Sequence, residues 1–596
     1  MKPVYLVIPD TRRAHGTGHI RRAWHICAEI GDSACVCPDF PWQGDLRSPE
    51  ASRSLIEPGH HVRELPWEHA RLSEPVCIVL DAQTATKHEI LSLASIAPVV
   101  GVDLGGEGRA YASYLLDTLP NLEAHKPNAY RPDALPLPAR VRDDAPGPNP
   151  RILVSIGGDD TAGLTEPLAD AMDSSGAVGP SAVDIVLPAA AVQGNPSRAQ
   201  RLEQLPIVHR VFATNALREV LGDYDIVCCS FGLTAFEAMA AGCTVITVPP
   251  TPYHAALARA VALPVLDPVS AGGIADLLHR TQELWERQES VRPEQRTTLG
   301  AVITALDMNG CVGEPSGGPA RTPVAVRLPD RSFRPEEQSG LLYLERFQPL
   351  TIQYNENYFD EAYESQYGRT YLDDFDHIRS MGLARLRQIR TLRRERSGTL
   401  LDVGCAYGPF LSAAQAEGYR CIGTDVFPGA VSYVSRTLGI TAFVGSATEL
   451  SRESHPGLRN GADVVTMWYV IEHIDELDLL FDRIHSVLKP GGVFAFATPN
   501  GNGISARRDL ECFLTRSPED HRTVWTPTSA RRYLRARGFT SVRVRVTGHH
   551  PERISPKWSR NPLVSWFLRG YSRLFGLGDT FEVYARRERK RDEAER

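Results

Sequence analysis

The stretch "TLLDVGCAYGPFLSAAQAEGYRCIGTDV", residues 399–426, sets the reading of the chain. A short apolar run meets Gly404 and Gly408, a stretch of helical period follows, and a second apolar run ends on Asp425. Glycines at a strand-to-helix turn let a ligand approach the backbone. An acidic residue about twenty positions on can accept hydrogen bonds from both hydroxyls of a ribose. Either piece alone fits a tight turn or a surface aspartate; the two together, in this order, imply a βαβ unit that binds a nucleoside cofactor.

The same grammar recurs along the chain in "PVYLVIP", "VCIVLDA", "RILVSIGG", "YDIVCCS", "CTVITVP", "ADVVTMW" and "GVFAFATP". Continuous apolar strands alternating with amphipathic helices predict an α/β protein with parallel sheets covered on both faces. Ligands of such sheets sit beyond the carboxyl ends of the strands. Two Pro- and Gly-rich breaks, at 140–150 and 307–340, divide the chain. The expected units are 1–145, 150–306 and 341–590, with 307–340 as a linker.

The 596 residues carry a net charge of −7 with 23% charged residues, so the basic excess that a nucleic-acid partner would call for is missing. Eleven scattered cysteines contain no CxxC pair, which points to reduced thiols and no metal site. The N-terminal apolar run is too short for a signal peptide, and no apolar run reaches the length of a transmembrane segment. A cytoplasmic location is expected. The adjacent pairs His60-His61 and His549-His550 read as surface or packing residues.

Beyond residue 399 the pattern continues through "GTDVFPGAV", "ADVVTMWYVIEHIDELDLLFDRIHSVLKPGGVFAFATPN" and "HRTVWTPTSARRYLRARGFTSVRV". With "LLDVGCAYG", these motifs resemble the class I S-adenosylmethionine-dependent methyltransferases, of the kind that includes ubiquinone-biosynthesis O-methyltransferases, over residues 355 to 588. The resemblance implies S-adenosyl-L-methionine as cofactor. It places Asp402, Gly404 and Gly408 around the methionine part and Asp425 at the ribose. Ser446 stands where the family usually has an adenine-side aspartate, and a hydroxyl bonds an adenine amine more weakly than a carboxylate. A hydroxyl acceptor must also lose a proton, and Glu472, His473 and His521 are candidate bases; capping or packing is the alternative role for each. The stripe Leu563, Trp566, Phe567, Gly570, Tyr571 and Leu574 reads as a packed helix or substrate lid, with membrane contact as the alternative.

In the first half, "RAHGTGHIRRAWHICAEI" (13–30) puts Gly16 and Gly18 in a strand-to-helix loop with His19 in the first helical turn, a place that favours an anion. His19 reads equally as a site or a core residue on that ground alone. "RILVSIGGDDTAGL" offers a second such loop at Gly157-Gly158, and "YDIVCCSFGLTAFEAMAAG" a third, with Gly232 and Thr234 before a helix bearing Glu237. Together these segments resemble the GT-B-like group that holds the flagellar pseudaminic-acid pathway hydrolase of UDP-linked diacetamido sugars and the spore-coat polysaccharide glycosyltransferases. The resemblance implies two Rossmann-like units in a GT-B-like arrangement. It also implies a UDP-sugar partner, His19 as the residue that activates water, Arg22 completing its motif, and Glu237 at the ribose. Asp159-Asp160 replaces the family's serine-aspartate, and Tyr253-His254 stands near a missing Asn-Gln pair.

The combined expectation is a bifunctional enzyme of surface or flagellar glycan biosynthesis: a UDP-sugar hydrolase or glycosyltransferase followed by a methyltransferase domain acting on a sugar, a glycan or another small-molecule acceptor. The alternatives are a methyltransferase with a non-catalytic nucleotide-sugar-binding module, and a lipid or quinone O-methyltransferase.

Overall fold

The computed structural model describes residues 5–12, 15, 17–53, 62–138, 142–157, 160, 162–187, 196–214, 216–308, 322–349, 364, 368–393, 395, 397–453 and 455–589. The chain forms two compact units, Met1–Cys311 and Val312–Arg596. Both are α/β. Among the described residues no helix is long and apolar enough to cross a membrane, and every cysteine is free.

The first unit holds two parallel sheets. One runs Ala34–Val36, Tyr5–Pro9, Cys77–Asp81, Val99–Val102, Tyr114–Asp117 and Ala129–Tyr130. The other runs Thr244–Thr247, Ile226–Cys229, Ile152–Ser155, Val183–Val186 and Val208–Phe212. Helix Gly18–Ile30 buries Ile20, Ala23, Trp24, Ile26 and Cys27, a helical-period stripe, and with them the charged Arg22. Helix Leu299–Thr304, capped by Thr298, packs against Gly18–Ile30: the Gly300 N–H donates to Glu29 Oε2 at 2.7 Å. A Cβ on Gly300 would lie 2.6 Å from that of Glu29, so glycine is what permits the crossing. The end of the chain's second αβ layer thus covers the first.

In the second unit seven strands form one sheet in the order Thr441–Val444, Tyr419–Asp425, Gly398–Val403, Ala462–Trp468, Leu488–Pro499, Thr580–Arg587 and Phe539–Thr547. The first five are parallel, and Thr580–Arg587 inserts antiparallel between Leu488–Pro499 and Phe539–Thr547. Strand order reverses beside Gly398–Val403, which makes its carboxyl end the switch point where a ligand crevice opens. The sheet is buried on both faces: Phe481, Phe494, Phe496, Trp525 and Tyr533 lie together on one, and Leu386, Ile389, Phe410 and Leu411 line the other.

Two expectations fail here. Residues 309–321 of the supposed linker lie outside the described residues. From 326 on, though, the chain is folded: Val326–Arg327, Arg331–Pro335 and Leu342–Arg346 pair antiparallel and join Thr523–Val524. Its prolines and glycines mark turns, such as Gly340 at φ +74°, and Phe333 and Leu344 pack on Leu514 and Val524. The stripe on helix Pro562–Leu574 is not core, because Ser572 alone is buried there.

Phe494→Ala removes a ring that touches Phe481, Phe496 and Phe539. It should lower the stability of the second unit by about 3–5 kcal/mol, read as a fall in the guanidinium midpoint followed by tryptophan fluorescence.

Candidate functional site

At the switch point the chain turns sharply. Gly404, Ala406 and Gly408 all have positive φ, +70°, +46° and +76°. Gly404 must lack a side chain, since a Cβ would sit 2.3 Å from Val470 Cγ2. The Gly404 and Cys405 N–H groups both donate to the Thr424 carbonyl, at 2.8 and 3.1 Å. Asp425, ending the next strand, accepts from the Ala406 N–H at 2.8 Å and the Phe427 N–H at 2.9 Å. Burial raises its carboxyl, and those N–H groups counter it in part. Each carboxylate oxygen keeps a lone pair for a further donor.

Asp402 is buried and accepts the Thr466 hydroxyl at 2.6 Å. Burial lifts its carboxyl to about 8, so the group is largely neutral at pH 7. Ser446 caps the turn Ala447–Glu449: its hydroxyl accepts from the Thr448 N–H, and Glu449 bonds back to the Ser446 N–H at 2.8 Å.

The three candidate bases come together. Glu472 and His473 lie in the short turn Ile471–His473 that follows strand Ala462–Trp468. The His473 and His521 rings stand edge to face, 4.8 Å between centroids. Ligand-type atoms of Glu472, His473 and His521 all fall within 4.8 Å of one another. Glu472 is buried, and burial pushes its carboxyl up to about 7. Burial and the neighbouring His473 push the His521 imidazole down to about 3. For His473 burial favours the neutral ring, yet the Asp520 and Glu472 carboxylates outweigh it and raise the pKa. Its Nδ1 lies 3.0 Å from Asp520 Oδ2, off the line of the N–H, so the contact is an ion pair rather than a straight hydrogen bond.

Sequence reasoning missed two members of this region. Asp520, which immediately precedes His521 in the chain, is the ion-pair partner of His473. Tyr469 sits at the same strand end with φ +60° and an exposed ring; a non-glycine residue held there marks stored strain, which clusters at functional sites.

In the first unit His19 Nδ1 lies 2.6 Å from Asp81 Oδ1. Because the carboxylate accepts, Nδ1 carries the hydrogen and the neutral ring keeps Nε2 as an acceptor. Asp81 is fully buried; burial would raise its carboxyl, but Arg22 and His19 together hold it low. Arg22 is buried as well, donating to Asp81 at 2.6 and 2.7 Å, to the Thr118 hydroxyl at 3.0 Å, and to Asp103. Arg22 was expected at the substrate and is instead an internal brace. Its stem falls on the buried side of the helix, and Asp81, which the sequence reading passed over, is the anion it neutralises.

Gly18 approaches the third loop, since a Cβ on it would lie 3.3 Å from Leu233 Cδ1. Gly232 and Thr234 flank that leucine, and Glu237, further along helix Leu233–Ala241, lies 3.4 Å from Arg218 Nε. Gly157 takes φ +70° beside Ser230. Asp160 accepts the Leu164 N–H at 2.8 Å and pairs with Arg198 at 2.7 Å. Gly16 and Gly158, and with them Asp159, lie outside the described residues.

Residues 375–544 match the family model described as a methyltransferase domain. The ubiquinone biosynthesis O-methyltransferase of Nitrobacter winogradskyi is 27% identical over 147 residues, 24% of this chain and 56% of that protein. Its namesake from Sodalis glossinidius is 32% identical over 117 residues, 18% of this chain and 46% of that protein. The chain thus spans about half the length of the curated relatives it matches. The crystal structure of a SAM dependent methyltransferase from Archaeoglobus fulgidus is 18% identical, covering 38% of this chain and 99% of that one with a TM-score of 0.28. The second unit contains a methyltransferase domain, and the cofactor this implies is S-adenosyl-L-methionine.

Proposed function

We propose that the second unit transfers a methyl group to a hydroxyl of a sugar, glycan or other small acceptor. The observation that carries this reading is the Asp425 carboxylate, fixed by the Ala406 N–H of the glycine turn and by the Phe427 N–H just beyond its own strand, with Glu472, His473 and His521 gathered beyond a neighbouring strand. The residues fit the cofactor: Gly404 and Gly408, both at positive φ, let the chain turn tightly at the end of its strand, and Asp425 retains acceptors for two ribose hydroxyls. Asp402, neutral, would lie at the methionine part. When bound, S-adenosyl-L-methionine supplies an electrophilic methyl group. The chain's own residues then position the acceptor and take its proton, and placement alone accounts for much of the rate in such a reaction. His473 and His521, partly exposed, face the acceptor; Glu472 behind them is the proton store.

Glu472 must be ionised to receive a proton, and its carboxyl titrates near 7. The turnover rate should therefore rise with pH through about 7 and flatten above it. Glu472→Gln should lower kcat by about 10²–10⁴-fold while leaving the dissociation constant for S-adenosylmethionine within about twofold. A flat pH profile together with unchanged kcat in the variant would contradict the role. The same three donors are close enough to share a divalent cation, which would acidify the acceptor hydroxyl directly. Activity lost to a chelator and restored by a divalent metal selects that arrangement, and activity that survives chelation selects the proton relay.

For the first unit the reading is a GT-B-like pair that binds a UDP-sugar and hydrolyses it or transfers its sugar. The His19–Asp81 pair supports a catalytic role over simple binding, because a buried carboxylate that orients a histidine is how a general base is built. UDP release from a panel of UDP-sugars should fall by about 10²-fold or more in His19→Ala, measured by mass spectrometry. Binding of UDP-sugars without release, in the wild type, would reduce this unit to a module.

A further inference from the structure

We propose that the segment between strands Phe539–Thr547 and Thr580–Arg587 docks the protein on an anionic lipid surface. Helix Pro562–Leu574, capped by the Asn561 side chain, turns its large apolar residues outward: Leu563 is 80% exposed, Trp566 77%, Phe567 66% and Leu574 79%. Phe575 after the helix is exposed against Tyr571, 4.6 Å between ring centroids, and Trp558 before it is exposed as well. Leaving this much contiguous apolar area in water is costly, and a large exposed patch marks a contact site.

The opposite side of the helix is fastened. Ser572 is buried and its hydroxyl lies 2.7 Å from His549 Nδ1. Its carbonyl accepts the Leu577 N–H at 2.9 Å. At the head of the segment Arg553 pairs with Asp579 at 2.6 Å. The outward face is thus set by the fold.

Charge chooses the occupant. From 553 to 578 the chain has no Asp or Glu, though the whole protein carries a net −7. Lys557, Arg560, Arg569 and Arg573 are all exposed in that stretch. Tryptophans and phenylalanines set among cations on a short helix match the chemistry of a lipid headgroup boundary, where rings sink to the acyl edge and cations meet phosphates. A second copy of this chain is a poor match, because two-fold pairing of the face would set like charges against like.

The helix also lies toward the reactive side of the sheet. Pro499, at the carboxyl end of its parallel strand, pairs with Thr580, where the segment re-enters the sheet. Docking would therefore hold the carboxyl-end crevice near the lipid surface.

The test is co-sedimentation of the full chain with vesicles of phosphatidylcholine containing about one-quarter phosphatidylglycerol. The protein should pellet at about 0.05 M salt and largely dissociate at about 0.5 M, and it should bind pure phosphatidylcholine at least about tenfold more weakly. Trp566→Ser with Phe567→Ser should weaken binding about tenfold or more, and Arg569→Glu with Arg573→Glu should abolish the preference for the anionic lipid. Both variants should keep the circular dichroism of the wild type, since the altered side chains are exposed. Protein that stays in the supernatant at low salt overturns the proposal. So does binding that neither variant changes, or a dimer in light scattering that the Trp566/Phe567 variant dissolves. None of these readouts requires methyl transfer, so the docking and the activity stand or fall separately.

Discussion

Asp425 receives N–H groups from two different turns, one on each side of its own strand end, and this pair of bonds fixes the backbone around the crevice. A non-glycine residue in the left-handed region costs about 1–3 kcal/mol, so Ala406 at φ +46° keeps its shape only while that carboxylate holds it. The turn then presses Gly404 against Val470 so tightly that a methyl group would not fit. Val470 immediately precedes the turn that bears Glu472 and His473. One carboxylate at the end of the second strand thereby fixes the glycine turn and, through the Gly404–Val470 contact, the turn that bears Glu472 and His473.

The first unit uses the same device with different partners. Asp81 also ends a parallel strand and is also buried, but its charge is met by side chains, His19 and Arg22, instead of by backbone. Taking two charges out of water is expensive, and such a pair is more a device for orientation than a source of stability. Arg22 is held in turn by Asp103 and Thr118, whose backbone N–H donates to Asp103 at 2.6 Å. The histidine is oriented by a network that reaches three strands away along the sheet.

The parallel sheets were legible because strand and helix periods alternate cleanly, and the second unit's crevice because Gly404, Gly408 and Asp425 sit at fixed intervals around one helix. Glu472, His473 and His521 could each be named, but not their meeting: forty-eight residues separate the last two (521 less 473), and only the sheet brings them together. Arg22 was misplaced because a motif gives a residue's position and not the side of the helix its stem takes. The strands around Phe333 and Leu344 were hidden because Pro and Gly serve turns in an antiparallel sheet as readily as they serve a linker. The packed helix expected at 562–574 fails for a related reason: an apolar stripe does not say what covers it, and among the described residues it stays exposed.

The central claim is that Asp425 and the glycine turn hold a nucleoside cofactor. Isothermal titration of the full chain with S-adenosylmethionine, set beside Asp425→Ala of matching circular dichroism, tests it most directly. The account predicts one site per chain in the wild type and a loss of affinity of about tenfold or more in the variant, on the order of two hydrogen bonds to a charged group. Equal affinity in the two proteins would contradict it.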